Sequence, residues 1–207
     1  MMRIRVSPTR MELLRLRKRL ELATRGHRLL KEKVEGLIRQ FTPLVSQYVQ
    51  LRSRVISRLL NVLEGFSLAS AASSEEQVTM ALVECQGQAA LVHTIREIMN
   101  VRIPIFSIEQ FGLDLSYSLV DTPVELDQAI TGLQEVFPEL MELAELEETL
   151  RQLAKEIEKT RRRVNALEYV LIPQLEEAIG QIRNKLEEME RGTRTQLMKI
   201  KDMLEEK

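Results

Sequence analysis

Residues 13–55 read LLRLRKRLELATRGHRLLKEKVEGLIRQFTPLVSQYVQLRSRV. Within them Leu13, Leu16, Leu20, Ala23, His27, Leu30, Val34, Leu37, Phe41, Leu44, Tyr48, Leu51 and Val55 step alternately by three and four residues. These are the a and d positions of a heptad, and thirteen in a row predict a coiled-coil seam rather than an ordinary amphipathic helix. Thr9 and Glu12 form a capping box at its start, with Pro8 just outside, where its missing amide does no harm. Pro43 lies inside the seam. It removes one backbone hydrogen bond and crowds the carbonyl of Arg39, so a kink is expected there.

A second seam runs through Leu143, Leu146, Leu150, Leu153, Ile157, Thr160, Val164, Leu167 and Leu171 until Pro173 interrupts it. The pattern resumes one residue out of phase at Leu175, Ile179, Ile182, Leu186 and Met189. It slips again near Gly192 and ends at Leu197, Ile200 and Leu204. Such slips mean local unwinding of a supercoil. Two long helices at opposite ends of one chain bury their seams most simply against each other. The expected fold is mainly α: a long antiparallel two-helix left-handed coiled coil, about 80 Å or more in length at ~1.5 Å per residue. Its core is expected to hold Leu13, Leu20, Leu30, Leu37, Leu51, Leu153, Ile157, Val164 and Leu167. Pairing residue 9 with about 204, and 66 with about 143, puts the fold-back near Pro104. Residues 1–66 and 143–207 are then the two shaft helices of one elongated unit, and 67–142 a middle segment.

That middle segment has its own pattern. Ser73 and Glu76 read as a second capping box, opening a short helix that carries Val78, Leu82, Cys85, Ala89 and Val92 to about Asn100. The β-branched and aromatic runs Val101–Ile108 and Leu115–Val120 flank a loop with Gly112 and Asp114, which predicts a β-hairpin over about 101–120 with Pro104 on an edge strand. Thr122-Pro123-Val124-Glu125 restarts a helix, with proline at its first position and a bend expected at Pro138.

Charge is segregated. Residues 1–58 carry 15 basic and 4 acidic side chains, 59–150 carry 2 and 16, and 151–207 carry 13 and 11. Basic ends around an acidic middle suit a polarised molecule that docks different partners at its two ends. Only 4% of the chain is aromatic, which argues against a deep aromatic-lined pocket. The longest charge-free stretch, 40–51, is shorter than the ~18–20 residues a membrane-spanning helix needs, so no direct membrane insertion is expected. Cys85 is the one cysteine, so no internal disulfide or thiolate cluster forms. His27 sits on the seam as a packed residue, and the His93/Glu97 pair alone is a poor metal signal. No glycine-rich phosphate loop is present, and nothing forms a catalytic constellation. No catalysis, cofactor or metal is expected. The basic clusters lack stacking aromatics or a groove-entering motif, so no nucleic acid is expected either. Solvated outer faces or docking against an acidic protein surface remain.

Three stretches resemble a known family. Ser7-Pro8-Thr9-Arg10-Met11-Glu12-Leu13, the run Ala23–Lys33, and above all Glu156–Pro173 with its Lys159-Thr160-Arg161-Arg162-Arg163-Val164-Asn165-Ala166-Leu167-Glu168-Tyr169 core resemble the D subunit of the V-type and A-type rotary ATPases. The chain is similar to the compact bacterial or archaeal members. Pro43 departs from the pattern and bears on the straightness of the helix. The resemblance implies the central-stalk rotor axle, transmitting torque between ATP chemistry in a hexameric A/B head and H⁺ or Na⁺ translocation by a membrane ring. It implies the A, B, F and C (d) subunits as partners, and a peripheral place on the cytoplasmic face of the membrane. It also implies a β-hairpin in the middle of the chain. On this reading Arg10, Arg15, Arg17, Arg19, Arg25, Arg28, Arg161, Arg162 and Arg163 face the head as bearing and torque contacts. Ile103, Ile105, Phe106, Tyr117 and Leu119 face the F subunit or the lower stalk. The alternative is a prefoldin-like coiled-coil chaperone, which also sets a hairpin between two arms but would expose apolar grip residues at the arm tips; a scaffolding coiled coil would self-associate.

Overall fold

The computed structural model describes residues 7–84, 86–114 and 122–205. Their elements follow in the order α1 (Arg10–Ala72), α2 (Glu75–Glu84), β1 (Gln86–Ile98), β2 (Val101–Asp114), α3 (Val124–Ala166), a π-helical turn (Leu167–Leu171) and α4 (Ile172–Glu205). The fold is mainly α, as the seams predict. The chain divides into two compact units, residues 1–36 with 157–207, and residues 37–156.

In the first unit, the start of α1 packs antiparallel against α4. The Thr9 hydroxyl accepts the Glu12 N–H at 3.3 Å, capping the first turn. Leu16 and Ala23 bury against Leu175, Ala178 and Ile182, with Leu13, Leu20, Leu167 and Leu171 packed around them. Each fully covered leucine contributes about 1.5–3 kcal/mol of burial. Arg10 meets Glu190 at 2.6 Å and His27 meets Glu168 at 3.4 Å, which fixes the register. The one-residue slip in the second seam is taken up by the π turn, where the Ile172 N–H reaches back to the Leu167 carbonyl. A wider turn absorbs one extra residue and gives the ring of Pro173 room from the carbonyl four residues earlier.

In the second unit α1 and α3 run antiparallel. Leu51, Val55 and Val62 bury with Val136, and Leu133, Leu140, Leu143 and Leu146 pack against them. Arg58 donates to Glu139 at 2.8 Å. Further along, the helices touch through small residues: a Cβ built on Gly65 would lie 3.2 Å from that of Ala129, and one on Gly132 only 3.0 Å from Val62 Cγ2. A three-helix junction of Ala69, Val78, Ala81, Leu126 and Ile130 follows. The helices continue through both Pro43 and Pro138.

Several expectations need correction. The pairing register is displaced: Arg10 sits at Glu190 instead of near 204, and Gly65 at Ala129 where 66 was expected at about 143. The slide is about fourteen residues, two heptads, and a heptad pattern is blind to shifts by whole repeats. The second capping box is Ser74 with Gln77, one residue later than expected: the Ser74 hydroxyl accepts the Gln77 N–H at 3.3 Å and Gln77 Oε1 accepts the Ser74 N–H at 3.2 Å. The central helix ends at Glu84, not near Asn100, and the hairpin starts earlier than expected.

That hairpin pairs β1 with β2 antiparallel, from Gln86 opposite Asp114 to Ile98 opposite Val101, with a bulge after Ala90. Met99 and Asn100 close it with φ of 50° and 65°. Two left-handed residues in a two-residue loop match the twist of the flanking strands. The fold-back therefore lies at Met99–Asn100, not at Pro104, which pairs with Ile95 inside the ladder. Of the expected second strand, Leu115–Val120, all lies outside the described residues. The Phe111 and Phe137 rings stack at 4.0 Å and 5°, tying β2 to α3. The Phe106 N–H donates to the Glu145 carboxylate at 2.8 Å, which satisfies the outward edge of β2 at that point.

By length and composition one stretch of α1 is apolar enough to cross a membrane, with a mean hydropathy of 1.2. It is the same helix whose Leu51, Val55, Val62 and Ala69 are buried within the second unit.

Candidate partner-binding surfaces

A charged side chain that finds no buried partner stays in water, so the basic residues of α1 and α3 mark outward faces. Arg10, Arg15, Arg17, Arg19, Arg25, Arg28, Arg161, Arg162 and Arg163 are all exposed. Arg10 pairs with Glu190, Arg15 with Glu12, Arg28 with Glu32, and Arg162 with Glu158. Among the described residues no ion pair holds Arg17, Arg19, Arg25, Arg161 or Arg163. Arg17, Leu20, Glu21, Thr24, Arg25, His27 and Arg28 line an open concavity of about 600 Å³ on α1. Three arginines and Glu21 rim it, and Leu20 is its one aliphatic lining residue.

The Arg10 guanidinium donates to Glu190 and holds its carboxyl below the usual range, with Arg194 adding to the effect. Hydrogen bonds from Arg151, then Gln152, lower Glu148 to about 2. His27 is half-buried on the seam with Glu168 as its partner, the packed, hydrogen-bonded role its position predicts. No group of three or more His, Cys, Asp or Glu side chains that could hold a metal occurs among the described residues.

The seam residues lie where the heptads put them. Leu37, Leu51, Leu153 and Val164 are buried, and Leu13, Leu20, Leu30, Ile157 and Leu167 are half-buried.

The hairpin residues divide differently. Ile103 is buried, with 4% of its surface exposed, and Ile105 and Phe106 are half-buried. Tyr117 and Leu119 lie outside the described residues. The large apolar side chains that the hairpin exposes include Leu91, Val92 and Ile95 on β1, a segment whose apolar spacing predicts a helix, and Met99 in its turn. The β-branched Val92, Thr94, Ile95 and Ile98 were the signal available. The end of α4 also exposes Leu197, Met198, Ile200, Met203 and Leu204, beyond the point where Arg10 meets Glu190.

Comparison with known proteins bears on what these surfaces serve. The family model described as the ATP synthase D subunit matches residues 12–202. The chain belongs to the ATP synthase D-subunit family. It is similar to the V-type ATP synthase D subunit of Clostridium novyi (strain NT), 47% identical over 210 residues that cover 99% of this chain and 97% of the relative. The D subunit of Acetivibrio thermocellus is 46% identical over 97% of this chain and 92% of its own. That of Clostridium botulinum (strain ATCC 19397 / Type A) is 44% identical over 100% and 98%. Membership makes the chain a stalk subunit of a rotary, multi-subunit ATPase.

Proposed function

We propose that this chain is the non-catalytic rotor shaft of a V-type/A-type ATPase. It transmits torque between ATP hydrolysis or synthesis in an A/B hexameric head and H⁺ or Na⁺ translocation by a membrane ring. It is a peripheral component at the cytoplasmic face, bound to the F subunit and seated on the C (d) subunit. The observation that carries the reading is the antiparallel packing of the two terminal helices in a family of ATP synthase subunits. Two helices interlocked by seam side chains resist relative rotation better than one. Arg10, Arg15, Arg17, Arg19, Arg25, Arg28 and Arg161–Arg163 supply the head-facing contacts. Exposed ion pairs are each worth about 0–1 kcal/mol, so a shaft held by many of them exchanges partners as it turns. The lower-stalk contacts move from the buried Ile103 to the exposed Leu91, Val92 and Ile95 of β1, with Ile105 and Phe106 at the margin.

Native mass spectrometry of the chain co-expressed with the A, B, F and C subunits tests the assignment; one copy per six head subunits is expected, and a chain that ignores the head refutes it. Replacing Arg161, Arg162 and Arg163 with Gln is expected to weaken the head complex or the torque it delivers.

The chaperone reading has one observation in its favour, the exposed apolar end of α4. It predicts that the free chain suppresses aggregation of an unfolded model substrate, and that Leu197→Ser with Leu204→Ser abolishes the effect.

A further inference from the structure

The α1 helix carries more than one seam. In the second unit its inward face is Leu51, Val55, Val62 and Ala69, all buried. Ile38, Val45, Val49, Ile56, Leu60 and Leu63 are spaced 7, 4, 7, 4 and 3 residues apart. At ~100° per residue they form one stripe more than a quarter-turn away from the inward face. Val49 is 58% exposed, Leu60 53%, Leu63 52%, Ile38 46% and Ile56 44%. Heptad spacing sustained over Ile38–Leu63 is the mark of a helix-packing surface, and isolated exposed apolar residues would not repeat this way.

The polar residues beside the stripe point the same way. Thr42, Ser46, Ser57 and Ser67 each donate their hydroxyl to the carbonyl four residues earlier in α1, at 3.0, 3.5, 3.0 and 2.9 Å. Their donors are already satisfied, so covering these four hydroxyls orphans no proton. They are also small, which lets another backbone come close. Residues 40–51 carry no charge in a chain that is 29% charged, so little needs desolvating there. The charge that does face the stripe is Arg52. Its guanidinium lies 6.0 Å over the Tyr48 ring, and among the described residues no carboxylate pairs with it.

We infer that this stripe is the docking seam for one amphipathic α-helix of a separate polypeptide, with aliphatic residues at heptad spacing and a carboxylate opposite Arg52. The inference deepens the proposed function by giving the shaft a second binding face, and draws on that reading only for the pool of partners. A stripe of 26 residues is about 39 Å long, so the occupant supplies five to seven turns.

The test uses the full chain and the variant Val49→Glu/Leu60→Glu, whose sites are exposed and whose thermal melt should match wild type. In the first arm each is co-expressed with the A, B, F and C subunits and weighed by native mass spectrometry. Loss of one partner from the variant, with the other subunits retained, is expected; full retention overturns the inference. If wild type assembles with nothing, the shaft reading fails, and the second arm still decides the stripe. There the probe is a synthetic 25-residue helix with Leu at a and d and Glu at e and g, followed by fluorescence anisotropy. At least tenfold weaker binding to the variant is expected, and weaker wild-type binding when Lys replaces Glu in the probe. Equal binding to both proteins refutes the seam, as does no binding to either. Wild-type self-association, or co-sedimentation with phosphatidylcholine vesicles, that the variant abolishes would assign the stripe to a second copy or a bilayer and overturn the inference.

Discussion

Truncating Leu175 to Ala tests whether the first unit is held by its seam. The side chain is 0% exposed and lies among Leu16, Ala23, Ala178 and Ile182. A fully buried Leu→Ala change costs about 2–5 kcal/mol, and ~3 is a fair expectation where two helices can partly collapse onto the gap. The shift in Tm depends on how much chain melts with it. Unfolding entropy is ~2.1 cal/mol/K per residue, so if all 207 residues melt together the loss is about 7 °C. If only the roughly 87 residues of 1–36 and 157–207 melt, it is about 16 °C. Circular dichroism at 222 nm reads both cases. The control is Leu197→Ala, 61% exposed, which should stay within about 0.5 kcal/mol of wild type. A Leu175→Ala melt within 2 °C of wild type, or an equal loss in the control, would refute the seam as the source of stability.

Other expectations follow from the same packing. Gly132→Val forces a branched side chain against Val62 Cγ2, 3.0 Å from the Cβ position, and should cost about 1–3 kcal/mol in urea unfolding. Gly180→Ala meets nothing within 4 Å and should stabilise by about 0.5–1 kcal/mol through helix propensity. Deleting the exposed Val170 removes the extra residue that the π turn absorbs, so Leu175 stays in phase and the melt should fall below that of Val170→Ala only by the cost of bringing the Pro173 ring against the carbonyl four residues earlier, about 3 kcal/mol or less. The folded Glu190 carboxyl is depressed by Arg10, so its stabilising contribution is present above the ordinary carboxylate value of 4.5 and lost as pH falls below it. Glu190→Gln should therefore be less stable than wild type at pH 7, with the difference gone at the acid end of a urea series.

Much of this fold is written in periodicity. The α1 seam, the Thr9 cap and the slip near Pro173 were legible because apolar spacing and proline chemistry act locally. The hairpin's first strand was not. Val78, Leu82, Cys85, Ala89 and Val92 step by four and three like a helix, and that spacing outweighed the β-branched Val92, Thr94, Ile95 and Ile98. Met99-Asn100 also lacks the glycine that usually announces a two-residue turn. The exposed arginines were legible because burial of lone charge is costly. Which hairpin residues face outward was not, since a strand misplaced in sequence brings the wrong face with it. The charge-free run 40–51 speaks in sequence only against a membrane span, while its second stripe needs the buried face of α1 to be known first.

The blindness of the seam to whole-repeat shifts has a consequence for how this protein can change length. Nothing periodic distinguishes one register from another, so the choice rests on contacts that do not repeat: the stacked Phe111 and Phe137, Glu145 on the Phe106 amide, and Gly65 and Gly132 against their close neighbours. These act as the notch in a sliding rule. Seven residues added to both strands of the coil at matched positions leave every notch engaged, and the helices simply gain a repeat. The same seven added to one strand alone set the notch against the seam. Lengths in this family should therefore come in paired steps of seven, with odd remainders absorbed at π turns such as 167–171.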